Sequence, residues 1–528
     1  MLRSKYQAFT DTTSENVFKA KKQANPLTLV VLGYLLLITV GAVLLWIPVS
    51  TREPIDFLQA LFTATSAVCV TGLSVIDISS TFTNFGNWVL VVLMQLGGLG
   101  IMTVSTVLIL LAGMHPGFNH QSVLLSNFTQ EGNVDAKRIL MAVLPFTFIL
   151  EAIGGVVYFT QFSGMELYDR IFCSLFQAVS SFCNVGFTLF PDSLMQFQLN
   201  PFMNITTCVL ALAGGFGFLA ITELQYAFDF KRRRFRKISL HTRIATFCTL
   251  VIVAASIVAF MLTEWGNTLN GLSFFDKLQT TFFMAFTSRT AGLNTVDTPA
   301  LCASSLFFFA IIMFIGANPG SCGGGIKVTT AAVIGLLGFN RLLGREKTQV
   351  MGRTIPETTV DKAVRIFVVA IVVIALATMV LLITEIPAGT GFNENGTPFL
   401  KILFEVISAY STCGLSMGLT GELSTVGKIV ICCVMFIGRM GPLFLISAVA
   451  GRVQNTTWFA EEDIMVGYGH EAPGSSSSLL PTTYCLLSTS YYLLPTAYYL
   501  LFTTFKIWHL SSTLSSVLAT LPSSSPVT

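Results

Sequence analysis

The sequence predicts an all-α membrane protein built from four repeats, and three observations carry that prediction. The 528-residue chain is 53% hydrophobic and only 11% charged, with 45 Phe, which is too apolar for a water-soluble protein of this length. Several apolar runs with at most one charge reach or approach the roughly 20 residues needed to cross about 30 Å of hydrocarbon. Between those runs a glycine with small and β-branched neighbours recurs four times: "VTGLSV" at Gly72, "NVGFTL" at Gly186, "TAGLNTV" at Gly292 and "TCGLSM" at Gly414. The motif glycines are 114, 106 and 122 residues apart, a spacing that reads as an internal repeat.

The elements follow in order. Residues 1–24 read as an N-terminal tail. Unit one (25–112) places spans at Leu27–Trp46 and Trp88–Ala112 on either side of the Gly72 motif. Unit two (113–224) repeats this with Ile139–Thr160, the Gly186 motif and Phe202–Leu219. Unit three (225–340) has Ile244–Leu262, the Gly292 motif and a split second helix, Leu306–Ile315 and Val328–Phe339, around "GANPGSCGGGIK" at 316–327. Unit four (341–467) has Ile366–Ile383, the Gly414 motif and Ile429–Ala450. The apolar segment before each motif glycine is about a dozen residues, too short to span. It reads as a re-entrant helix followed by extended backbone, which at membrane depth is tolerated only when buried in protein or lining a water-filled cavity. The expectation is eight spanning helices plus four re-entrant pore helices around a central pore. Residues 468–528 are a low-complexity tail, and Tyr491–Trp508 within it is a weak ninth span. Small residues near Gly97, Gly214, Gly316 and Gly438 recur about 24 to 33 positions after each motif glycine, so the second helices repeat too.

Orientation follows from Lys and Arg, which stay cytoplasmic in short loops. Lys231 to Lys237 ("KRRRFRK") joins units two and three, and Arg341, Arg345, Lys347, Arg353, Lys362 and Arg365 join units three and four. Both joints and the N-terminus are expected on the cytoplasmic side, in the plasma membrane. The loops beside the glycine motifs carry Glu53, Asp56, Asp77, Glu166, Asp169, Asp192, Glu264, Asp276 and Asp297, an acidic mouth that would concentrate cations. The eleven cysteines are scattered, with no CxxC pair and no His at metal-ligand spacing, and read as small core residues.

A dehydrated monovalent cation crossing a bilayer needs closely spaced oxygens, which rings of backbone carbonyls supply. Backbone that turns its carbonyls inward needs dihedrals that glycine accepts, which accounts for one glycine per unit. The C-terminal end of each short helix carries partial negative charge and favours a cation. The competing reading is that these glycines only permit close helix packing.

At "VTGLSV", "QLGGLGIMT", "SRTAGLNTVD", "GANPGSCGGGIKVTT" and "GRMGPL" the chain resembles the Trk/Ktr/HKT superfamily of potassium transporters, most closely its KtrB-type membrane subunits, over roughly Asn25 to Gly467. The resemblance implies potassium uptake through a filter formed here by Val70, Thr71, Gly72, Asn184, Val185, Gly186, Thr290, Ala291, Gly292, Thr412, Cys413 and Gly414. Glycine in the first loop implies potassium as the transported ion, whereas serine there accompanies sodium preference. A sodium-conducting or sodium-coupled transporter of the same fold stays open as the alternative. The resemblance also implies a homodimer seated on a cytoplasmic KtrA-like ring of Rossmann-type nucleotide-binding subunits, with the basic joints as the contact. Positive-inside topology and anionic membrane lipid account for those basic clusters equally well. A nucleic-acid partner is not expected.

The segment with Gly316, Gly320, Gly323, Gly324, Gly325 and Lys327 cannot remain one regular helix, since proline removes a donor and each glycine costs about 1 kcal/mol. It lacks the Gly-Lys-Ser/Thr order of a phosphate loop, because Ile326 separates Gly325 from Lys327. By resemblance it is an intramembrane gating loop below the filter. Arg439 lies within the last apolar run, where a charge costs about 2.5–3.5 kcal/mol, and should face protein or water. By resemblance it projects into the pore below the filter. Arg289 and Glu405 read as braces behind the filter, and Glu151 as structural. A polytopic membrane enzyme is disfavoured: "GLSMG" fits GxSxG, but Ser416 follows a short apolar helix and none of the five His lies beside a glycine motif.

Overall fold

The structure is a computed structural model and describes residues 26–99, 136–218, 220–221, 223, 228–229, 234–235, 238–386 and 397–441. The expected tails at 1–24 and 468–528, the far ends of two apolar runs (100–112 and 442–450) and the side chains of the basic segment 231–237 lie outside the described residues.

The first helix of each repeat is long and apolar. Helix α1 (Pro26–Trp46) buries Val30, Tyr34, Ile38, Ala42 and Leu45 while exposing Leu32, Leu36, Val40 and Val43, so both faces are apolar and the outer one is suited to lipid. Its counterparts are α4 (Ala136–Gln161), α7 (Leu240–Glu264) and α11 (Glu357–Glu385). Among the described residues, Val143–Gln161, Leu240–Glu264 and Glu357–Glu385 are long and apolar enough to cross a membrane.

The short helices before the glycine motifs are α2 (Phe57–Cys69), α5 (Leu167–Cys183), α8 (Phe274–Thr287) and α12 (Thr397–Ser411). At 13 to 17 residues they rise only about 20–26 Å. Local chemistry sets where α2 starts: Asp56 and Gln59 form a capping box, with Gln59 Oε1 accepting from the Asp56 N–H at 3.0 Å.

The second helices are α3 (Asn84–Gly98), α6 (Pro201–Gly215), the pair α9 (Ala303–Phe314) and α10 (Val328–Leu342), and α13 (Thr425–Met440). Three of them overlap the apolar runs expected at Trp88–Ala112, Phe202–Leu219 and Ile429–Ala450; as described they reach Gly98, Gly215 and Met440, with left-handed glycines at Gly217 (φ 89°) and Gly441 (φ 83°) after two of them.

Packing joins the repeats. The second helix of each one lies against the short helix of the next: α3 on α5, α6 on α8, α9 on α12, and α13 back on α2. A latch holds each repeat at the end opposite the helix breaks, where the end of the first helix ties the N-cap of the second. Thr83 Oγ1 donates to the Val49 carbonyl (2.7 Å), Asn200 Nδ2 to Gln161 Oε1 (2.8 Å), the Cys302 N–H to Glu264 Oε1 (2.8 Å) and the Ser424 N–H to Glu385 Oε2 (3.0 Å). Between repeats three and four, β1 (Gln349–Val350) and β2 (Arg353–Thr354) form a hairpin through Met351 and Gly352, and a small core of Val333, Ile355, Val360 and Ala363 lies beneath it.

Candidate functional site

After each short helix the chain passes through the left-handed region without using glycine, directly at the helix end in repeats one and two, and three residues beyond it in repeat three. Val70 (φ 59°), Asn184 (57°), Thr290 (77°) and Thr412 (50°) all have positive φ, and two residues later so do Gly72 (87°), Gly186 (89°), Gly292 (69°) and Gly414 (94°). For β-branched Val and Thr this conformation costs on the order of 1–3 kcal/mol and persists only where surrounding structure enforces it. The enforcement is visible in a double cap. The Val70 N–H bonds the Ala67 carbonyl (3.2 Å) while the Thr71 N–H bonds that of Ser66 (2.8 Å). Asn184 and Val185 do the same to Ser181 and Ser180, and Thr412 and Cys413 to Ala409 and Ser408. Repeat three differs, because Ala291 and Gly292 both bond the Thr287 carbonyl, at 3.1 and 3.3 Å.

The four loops meet through their glycines. A Cβ on Gly72 would collide with the Val185 carbonyl oxygen, and one on Gly186 would lie 2.9 Å from that of Ala291. One on Gly292 would strike the Cys413 carbonyl and one on Gly414 the Thr71 carbonyl. Each loop thus presses its glycine against the middle carbonyl of the next, and the fourth returns to the first. All twelve residues named from the sequence at these loops belong to this one constellation.

Side chains from the last turns of the helices steady the loops beyond the glycines. Ser180 Oγ donates to the Phe187 carbonyl (2.5 Å), Thr287 Oγ1 to that of Leu293, and Ser408 Oγ accepts from the Gly414 N–H (3.1 Å). Glu405, fully buried, accepts from Ser416 Oγ at 3.0 and 3.1 Å and from Thr420 Oγ1, which ties α12 to the irregular segment after Gly414. Arg289 points its Nε into the interior with no hydrogen-bond partner. Glu151 is buried within α4, and the Cys183 thiol lies 4.0 Å from its Oε1.

The 315–327 loop lies directly against these residues. It opens and closes on a parallel bridge between Ile315 and Ile326 and turns through Gly320 and Gly325 at φ 69° and 71°. The Gly324 N–H donates to Thr412 Oγ1 at 2.9 Å, and a Cβ on Gly323 would lie 2.6 Å from Thr290 Oγ1. The N–H groups of Asn318 and Cys322 donate to the carbonyls of Gly215 and Gly214 (3.2 and 3.0 Å), and Phe218 donates back to Gly320 (2.9 Å). Lys327 Nζ folds back onto the Gly323 carbonyl at 2.6 Å. Arg439 spans the site, donating to the carbonyls of Cys322 and Gly97, so the loop is held by repeats one, two and four. Gly316 underlies the fold of the loop: a Cβ there would strike the Gly324 carbonyl. Three carbonyls, those of Gly323, Cys322 and Gly97, are therefore held by Lys327 and Arg439.

Sequence reasoning missed the latches at Gln161, Glu264 and Glu385, the hydroxyl braces at Ser180, Thr287 and Ser408, and the role of Asn318, whose Nδ2 donates to Phe216 and Thr249. A signal for the braces was present, since Ser66, Ser180 and Ser408 each precede their motif glycine by six residues. In repeat one the brace is not made, and Ser66 Oγ is buried without a partner.

Known proteins resemble this chain in sequence and in fold. The family model described as TrkH, cation transport protein, matches residues 4–453. The Ktr system potassium uptake protein B of Bacillus subtilis is 35% identical over 445 residues, covering 84% of this chain and 97% of that protein. The potassium/sodium uptake protein NtpJ of Enterococcus hirae is 34% identical over 460 residues, covering 85% and 99%. The crystal structure of the potassium transporter TrkH from Vibrio parahaemolyticus superposes with a TM-score of 0.64 at 18% identity, covering 82% of this chain and 86% of that one, a likeness of fold. The helices, the four interlocked glycine loops and the sequence matches agree, and the chain belongs to the TrkH family of cation transport proteins.

Proposed function

We propose that this chain takes up potassium ions across the membrane in which its apolar helices are embedded. The ion path follows the axis of four pseudo-symmetric units, with Val70–Gly72, Asn184–Gly186, Thr290–Gly292 and Thr412–Gly414 as its filter. One observation carries the reading: each motif glycine abuts a carbonyl of the next loop, in an order that returns to its start. Such a ring brings many carbonyl oxygens together in a space bounded by the C-terminal ends of four helices, where a cation is favoured and an anion excluded. The boundaries 25–112, 113–224, 225–340 and 341–467 follow the repeats.

In this reading the 315–327 loop, held by Lys327 and Arg439, is the gate. The N-terminus and the joints at 231–237 and 341–353 face the cytoplasm, where a homodimer meets a KtrA-like nucleotide-binding ring. The names of two relatives, potassium uptake protein B and potassium/sodium uptake protein NtpJ, support potassium as the ion, and the second gives specific weight to sodium as a coupling or conducted ion. Rubidium uptake into proteoliposomes, with and without sodium, tests both. Uptake that potassium competes against and sodium does not fits the first reading. Uptake that sodium abolishes competitively overturns it in favour of the second.

A further inference from the structure

The innermost ring of the motif loops consists of Val70, Asn184, Thr290 and Thr412, the left-handed residues that follow the short helices. Val70 offers no side-chain oxygen. Asn184 commits its Nδ2 to the Ala211 carbonyl at 3.1 Å, and its Oδ1 is buried without a partner. The two side-chain hydroxyls of the ring belong to Thr290 and Thr412, and both lie against the 315–327 loop. Thr412 Oγ1 accepts the Gly324 N–H at 2.9 Å, and Thr290 Oγ1 sits over Gly323.

A hydroxyl oxygen can accept an amide N–H or coordinate a cation, and the two compete. Both seek its lone pairs, and an amide N–H directed at a bound cation is repelled by it. We propose that Thr412 couples ion occupancy to the gate: its hydroxyl holds the Gly324 amide while the innermost ring is empty, and a potassium ion entering that ring draws the hydroxyl away and loosens the loop. Resting on the ion-path reading above, this inference adds a direction to it. Linkage makes the coupling reciprocal, so a closed loop lowers ion affinity at this ring by the factor by which the ion favours release. Lys327 on the Gly323 carbonyl and Arg439 on that of Cys322 then set the resting position against which the ion works.

The test uses the full-length protein in lipid nanodiscs. Hydrogen–deuterium exchange of the peptide covering 316–327 is compared in potassium and in choline at equal ionic strength, for wild type, Thr412→Val and Thr412→Ser. Potassium should speed exchange in wild type and in Thr412→Ser by about 5- to 150-fold, the usual span of such couplings. Thr412→Val should exchange fast in both solutions and ignore potassium. Exchange in wild type that is the same in both solutions overturns the coupling, as does a potassium response that survives in Thr412→Val. Rubidium uptake by the same variants and by Gly72→Ser, each reconstituted into proteoliposomes, separates the two readings: normal uptake with an unresponsive loop removes the coupling alone, whereas selectivity untouched by Gly72→Ser removes the filter beneath it.

Discussion

The second helices of repeats three and four place a glycine at the same point and use it differently. In repeat four, Gly438 lies so close to α12 that a Cβ would strike the Tyr410 backbone carbonyl. Gly97 and Gly214 are in the same position against Val68 and Phe182. In repeat three the equivalent Gly316 instead faces the carbonyl of Gly324, within its own loop. Repeats one, two and four spend the glycine on interlocking two helices, and repeat three spends it on folding a loop back against the motif loops. The lesson is that a repeat conserved in outline can be diverted at a single contact, here by the extra glycines of 320–325.

The largest expected effect tests that contrast. Gly438→Ala sets a side chain against rigid helix backbone, an overpacking that should cost about 1–3 kcal/mol or more. Thermal unfolding in detergent should fall well below wild type. Gly316→Ala faces loop backbone that can shift, so it should leave the melting temperature closer to wild type while changing rubidium flux. Equal destabilisation by both would erase the distinction between interlocking and loop glycines.

Next in size is deletion of Gly320 to Gly325. It removes the contacts to Thr290 and Thr412, and potassium flux should rise with selectivity largely kept, because an obstruction below a filter sets rate rather than ion choice. Loss of transport in protein that is still inserted and folded would assign the loop to scaffold. Gly72→Ser acts on the filter loops instead: its Cβ would push on the Val185 carbonyl and strain the backbone at φ 87°. Potassium over sodium selectivity should drop, as read by competition uptake of the two ions.

The smallest effect lies at the water-facing edge, away from both glycines. Asp77 caps the short helix Ile78–Thr81. Burial raises its carboxyl pKa, but hydrogen bonds from Ser80 and Ser79 outweigh this and hold it below the usual carboxylate range. A depressed folded value means that its contribution is present above the unfolded pKa of about 4 and is lost as pH falls through the folded one. Asp77→Ala should cost about 0.5–2 kcal/mol at neutral pH, and the gap in melting temperature from wild type should close in acid. A gap that stays constant with pH would mean that the cap works by packing rather than charge.

Much of the fold was legible because a bilayer imposes a simple rule: apolar length marks helices, and too little length marks segments that must turn back. The position of the twelve loop residues was legible for the same reason, since four motifs recur at similar spacing between those helices. Less was legible where the decisive contact is distant in sequence. The bond from Gly324 to Thr412 joins residues 88 positions apart, and those from Arg439 reach 117 and 342 positions away.

By itself the sequence determined the apolar composition, the four recurring glycine motifs, the long and the short apolar helices, and the one second helix that glycines must break. These are properties of composition and local dihedral preference, available before any two segments meet. Only the tertiary structure decided that each motif glycine abuts the next loop's carbonyl, that Val70, Asn184, Thr290 and Thr412 are driven left-handed without being glycine, and that the broken loop rests on Thr412 under the hold of Arg439. The physical reason is that strain, backbone collision and a shared hydroxyl exist only between chain segments brought into contact.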